Sequence, residues 1–159
     1  MHLTNHINAI AGILTVLCTA IVFGTDSFFA FVGKKALSKS KEAALLNVAG
    51  NLHEVADKRM PIVGGAALLG TLYLALSKGV GTHDGILFLI AFIAMLAHLL
   101  LFLSVAKPVN EQMREAVRFG RLLDDVRALQ NKWDSVIGFR AILLLTAMVF
   151  LLTGLGLRV

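Results

Sequence analysis

Four stretches of this chain are each about long enough to cross a bilayer and carry no Asp, Glu, Lys or Arg: Leu3 to Thr25, Met60 to Ser77, Gly85 to Ala106 and Ala141 to Leu157. A helix needs roughly 20 apolar residues to traverse the hydrocarbon core, and in that core every backbone polar group must be satisfied within the segment. The pattern therefore predicts an all-α fold, an integral membrane four-helix bundle forming one domain over residues 1–159, with spans at about 7–33, 60–77, 85–106 and 138–157. The first run continues past Asp26 through Phe28, Phe29, Phe31 and Val32 to Lys34 and Lys35. With no basic segment before it and no small-residue cleavage site after it, it reads as a mature helix rather than a signal peptide. Composition agrees. Of 159 residues 57% are hydrophobic and 16% charged, with a mean hydropathy of +0.80, whereas soluble domains carry roughly 25% charged residues. The single cysteine, Cys18, excludes an internal disulfide, a CxxC dithiol and any multi-cysteine metal or iron–sulfur site.

Basic residues are unevenly distributed. Lys34, Lys35, Lys39, Lys41, Lys58 and Arg59 lie between spans one and two; Lys107, Arg114, Arg118, Arg121, Arg127 and Lys132 lie between spans three and four; the short remaining loop holds Lys78. The positive-inside bias makes both long segments cytoplasmic, with both termini on the non-cytoplasmic side, the membrane being the inner one if the protein is bacterial. The formal charge of +5 then falls mainly at the inner surface, where anionic lipid headgroups are the expected partners. No basic module stands free of the membrane to engage nucleic acid.

Both long segments are amphipathic. Over about 41–59, Leu45, Val48, Ala49, Leu52, Val55 and Ala56 recur at helical spacing. Over about 109–133, Phe119, Leu122, Val126, Leu129 and Trp133 form one stripe and Arg114, Arg118, Arg121, Asp125 and Lys132 another, after a helix start at Pro108. These helices either lie along the headgroups or extend the membrane helices. Pro61 is expected at the start of span two, where Gly64, Gly65 and Gly70 would let a neighbouring backbone approach. Span, basic helix, span is said twice, which predicts a weak parallel repeat about an axis along the membrane normal, with a site at the repeat interface.

Two ionisable residues lie inside spans at matching depth: Asp26 ahead of Lys34, and His98 ahead of Lys107. An intramembrane carboxylate is costly and usually functional, and a His meeting a carboxylate suits proton relay or the orientation of a metal or heme ligand. Arg140 opens span four near the same depth. It could pair with Asp26 simply to fasten the bundle, bind an anionic or phenolate-like ligand, or snorkel to the headgroups. His53, Glu54 and Asp57 have helical ligand spacing, but Asp57 stands where HExxH needs its second His, so they read as solvated, with Asp57 pairing Lys58 or Arg59. No metal site is assigned. His2 and His6 form a weaker candidate ligand pair, and His83 falls in a turn.

The run Ala106, Lys107, Pro108, Val109, Asn110, with Trp133 downstream and Arg140 opening the last span, resembles the anthrone-oxygenase-like family of small four-helix membrane proteins. The resemblance implies a bundle of four helices and, in the characterised fungal branch, oxygenation of an anthrone without a recognised tightly bound cofactor. Its matching positions are Asn110, Trp133 and Arg140. The first half shows no counterpart of the Pro-Val-Asn run.

These readings combine into a bundle that binds a small hydrophobic or aromatic ligand. As an oxidoreductase it would use His98 as base or ligand, Asp26 as its orienting partner, Arg140 with Asn110 stabilising an enolate or phenolate oxygen, and Trp133 at the ligand; both a heme and the absence of any cofactor stay open. The competing readings are a small proton-coupled transporter working through Asp26, and a non-catalytic scaffold or accessory subunit docking through the basic helices. Self-association, or membership of a larger membrane complex, fits all three.

Overall fold

The computed structural model describes residues 2–121 and 123–156, with side chains from residue 6 onward. Among these residues the chain is all helical: α1 (His2–Phe28), a π-turn (Phe29–Gly33), α2 (Lys34–Ser38), α3 (Glu42–Lys78), α4 (His83–Leu101), a second π-turn (Phe102–Ala106), α5 (Lys107–Arg118) and α6 (Val126–Gly154). Four continuous helical runs, His6–Ser38, Glu42–Lys78, His83–Arg118 and Val126–Gly154, are long and apolar enough to cross a membrane. α1 and α4 each pack between α3 and α6, closing a four-helix ring, and α5 packs along the first half of α3. His2 lies outside the residues whose side chains are described, so the His2–His6 pair has no structural counterpart here.

Local chemistry places the ends. Glu42 in the first turn of α3 and Lys78 in its last complement the helix dipole. Gly79, at φ 87°, stops the helix. The Thr82 side chain caps α4, its hydroxyl oxygen accepting from the Gly85 N–H at 3.1 Å.

Three sequence expectations are settled or revised. Of the two placements open to the basic segments, extension of a membrane helix is the one seen. The first segment is the opening half of α3, and Pro61 lies inside that helix rather than at its start; proline has no N–H to give the Asp57 carbonyl, and membrane helices tolerate such a site where neighbours support it. The second segment is not one helix over 109–133. α5 ends at Arg118 with Gly120 at φ 61°, the Arg121 N–H reaching the Ala116 carbonyl at 2.8 Å and the Gly120 N–H the Val117 carbonyl at 3.2 Å, a Schellman stop. Phe119 is exposed. Thirdly, only Gly70 is approached closely, by Thr15, while a Cβ at Gly64 or Gly65 would meet nothing.

The repeat is visible as secondary structure: helix, π-turn, helix, long helix, twice, with Lys34 and Lys107 each directly following a π-turn. Buried residues fall at corresponding places, Val22 with Met95 and Gly33 with Ala106 in the first helices, and His53 with Trp133, Ala67 with Ala147 and Thr71 with Leu151 in the second. The core has two apolar layers. Phe88, Leu74, Leu144 and Leu151 lie in one, and Leu45, Val109, Met113 and Ile137 lie in the other, at the basic end.

Candidate functional site

Asp26, His98 and Arg140 meet in the bundle. His98 Nε2 lies 2.9 Å from Asp26 Oδ2, and Arg140 Nη2 donates to Asp26 Oδ1 at 3.1 Å. The Asp26 and Arg140 residues are only 4% and 6% exposed. In the tautomer with the proton on Nε2, His98 donates to Oδ2 and Nδ1 is the basic nitrogen; in the other, Nε2 accepts from Arg140, whose Nε and Nη2 lie 3.3 Å away. The guanidinium further sits over the Phe102 ring, 5.5 Å from its centroid. Asp26 thus meets both partners considered for it, His98 through one oxygen and Arg140 through the other.

Phe29 and Phe102 open the two π-turns, following closely after Asp26 and His98. Such turns add a residue to a helix and redirect the side chains around it, and they recur at functional sites. Phe29 meets Trp133 edge-on, with centroids 5.4 Å apart. Each π-turn therefore presents a phenylalanine to a residue of α6.

These groups border a cavity of about 490 Å³ whose walls are mainly apolar; Asp26, His98, Arg140, Asn110 and Trp133 all line it. The volume falls within the range of small-molecule sites, roughly 300–1,000 Å³. The α3 wall is cut back at Gly64 and Gly65. Gly64 corresponds in the repeat to the fully buried Leu144, so one half lacks the side chain that fills the other.

Asn110 lines the same cavity as Arg140. Its Nδ2 donates to Asp57 Oδ1 at 2.9 Å, and its Oδ1 has no hydrogen-bond partner among the described residues. Asp57 corrects the sequence reading: it pairs with neither Lys58 nor Arg59 but faces Arg114 Nη1 at 4.0 Å, and Lys58 reaches Glu54 at 2.9 Å. Burial raises the Asp57 carboxyl, against the Asn110 hydrogen bond that lowers it. His53 is also no surface residue. It is 6% exposed, lines the cavity and packs on Trp133 with ring centroids 5.8 Å apart. It precedes the charge-free run that opens at Met60, and burial, reinforced by the Arg140 charge, pushes its imidazole down to about 4. His53 is therefore neutral at pH 7. Glu54 stays on the outer face and His83 is exposed beside Asp84. Among the described residues no group of three or more His, Cys, Asp or Glu side chains could hold a metal ion.

His53, Asp57, Phe29 and Phe102 were not picked out as site residues by sequence. A pattern of one His and one Asp on a helix that also carries a solvated stripe reads as surface until α5 is known to cover it. No protein-family model, curated protein or solved structure matches this chain, so the chemistry of the site rests on its geometry.

Proposed function

We propose that this four-span membrane protein binds a small, largely apolar aromatic ligand within the bundle and moves a proton on it, as an oxygenase of the anthrone-oxygenase-like kind. The observation that carries this reading is the buried Asp26–His98–Arg140 cluster at the wall of an otherwise apolar cavity. A carbon acid next to a carbonyl loses its proton to His98 Nδ1. Asp26 holds the ring and offsets the imidazolium that forms, and Arg140 neutralises the enolate or phenolate oxygen in a site where water is scarce. Dioxygen is the oxidant: a CH₂ group becomes C=O, one oxygen atom entering the product and the other leaving as water. Anionic headgroups would surround the basic end, and the apolar outer face of α1 and the π-turn after it, with Ile10, Ile13, Leu17 and Phe31 exposed, would meet lipid, a second copy or a partner subunit.

The test is oxygen-dependent conversion of anthrone to anthraquinone by the purified protein, followed by absorbance. His98→Ala should lower turnover by about 10²–10⁴-fold, the usual worth of a general base, while the elution volume of the detergent-solubilised protein stays the same. A fully active His98→Ala protein, or a wild type that does not accelerate the reaction, removes the proposal.

A further inference from the structure

The cavity has a second group of polar side chains, besides the charged cluster, that the proposed chemistry does not use. Trp133 and Arg140 stand two turns apart on α6, roughly 10 Å along the helix axis, and His53 packs on Trp133. Hydrogen-bonding capacity is left unspent in this group. His53 makes no hydrogen bond among the described residues although it is nearly buried and lines the cavity. Nearby, Asn110 Oδ1 and Trp133 Nε1 are buried without hydrogen-bond partners among the described residues, while Asp57 Oδ2 faces Arg114 Nη1 at 4.0 Å. Leaving a buried polar group unpaired costs about 1–3 kcal/mol, so native proteins rarely gather several in one place without a use for them.

The balance of these groups says what would satisfy them. Asn110 Oδ1 is an acceptor, Trp133 Nε1 a donor, and a neutral imidazole offers one acceptor and one donor. Arg140, also on the cavity wall, is a donor only. A ligand matching both carries an acceptor oxygen toward Arg140 and a hydroxyl or N–H toward His53, on an apolar body long enough to reach between them.

We propose that His53, with Asn110 on the facing helix, is a ligand-recognition residue that selects for a hydroxyl or N–H group on the ligand besides the oxygen that faces Arg140. This rests on the reading that the cavity binds a ligand, and it adds to that reading which ligands are accepted. Binding through His53 requires no redox step and holds whatever reaction follows.

Trp133 is the sole tryptophan of the chain, so quenching of its fluorescence reports the cavity directly. Two probes differ only in the group at issue: 9-fluorenone, an apolar tricyclic ketone, and 2-hydroxy-9-fluorenone. With the detergent-solubilised protein at pH 7, the hydroxylated ketone should bind about tenfold more tightly than its parent. In His53→Phe, which keeps an aromatic ring against Trp133, that preference should collapse to within about threefold while the affinity for 9-fluorenone is unchanged; the latter also shows that the variant is folded. His53→Gln, retaining a donor and an acceptor, should restore part of the preference, and Asn110→Leu should reduce it from the α5 side. A wild type that treats both ketones alike, or a preference that survives in His53→Phe, overturns the assignment of His53 and leaves the cavity reading standing. If neither ketone quenches Trp133 in the wild type, the cavity reading falls and this inference with it.

Discussion

At the scale of single residues, the decisive arrangement is one carboxylate shared by a histidine and an arginine. Asp26 alone at this depth would be prohibitive; with Arg140 at 3.1 Å and His98 at 2.9 Å both of its oxygens are engaged. The penalty for removing one partner is larger than the worth of the pair, because the remaining charge stays buried. Arg140→Leu should therefore destabilise the bundle by about 3–5 kcal/mol, whereas Asp26→Asn combined with Arg140→Leu should recover much of that loss. Thermal unfolding in detergent, read by circular dichroism for the wild type, the single variant and the double variant, checks this. Equal instability of the single and double variants would mean that the contact contributes packing rather than charge balance. Asp26, His98 and Arg140 were individually legible, because an ionisable residue in or beside an apolar run announces itself. His53 and Asp57 were not, since their burial depends on α5 lying across them.

At the scale of elements, the cavity arises from how the helices depart from regular packing. The two π-turns aim Phe29 and Phe102 at α6, and α3 thins to glycine where α6 carries Leu144. Gly64→Leu should fill the space beside the cluster. Its Cβ meets no atom within 4 Å, and a helix interior favours Leu over Gly by roughly 1 kcal/mol, so thermal stability should hold or rise. Ligand quenching of Trp133 and any turnover should fall at least tenfold. A variant that is stable yet binds as before would place the ligand elsewhere. Helix positions were largely readable from the apolar runs. The stop at Gly120 was readable too, with Arg118 in the last turn and glycine just beyond, but the continuing apolar spacing of Leu122, Val126 and Leu129 masked it. The π-turns left no comparable mark, because a one-residue expansion of a helix changes no residue type.

At the scale of the whole molecule, the ring of α1, α3, α4 and α6 brings the start of α1 and the end of α6 to one end of the bundle, where Gly12 meets Leu155 and Asn8 meets Tyr73. The two basic connections lie at the other end. There Arg127 ties the halves together, donating to the carbonyls of Leu37 at 3.2 Å and Ser40 at 2.7 Å. The positive-inside bias of Lys and Arg predicts that reporter fusions at either terminus respond as non-cytoplasmic, while a cysteine placed at Gly120 is labelled only from the cytoplasmic side. Opposite labelling would invert the topology without altering the bundle. By itself the sequence determined the solvent, the number of spans, the repeat and the three charges inside the apolar runs, because each of these is written as hydropathy along the chain. Only the tertiary structure decided that the three charges meet, that the first basic segment and the start of the second prolong membrane helices, and that His53 turns inward to a cavity. Those facts depend on which faces of distant helices come together, and a pattern of neighbours along one chain does not contain that information.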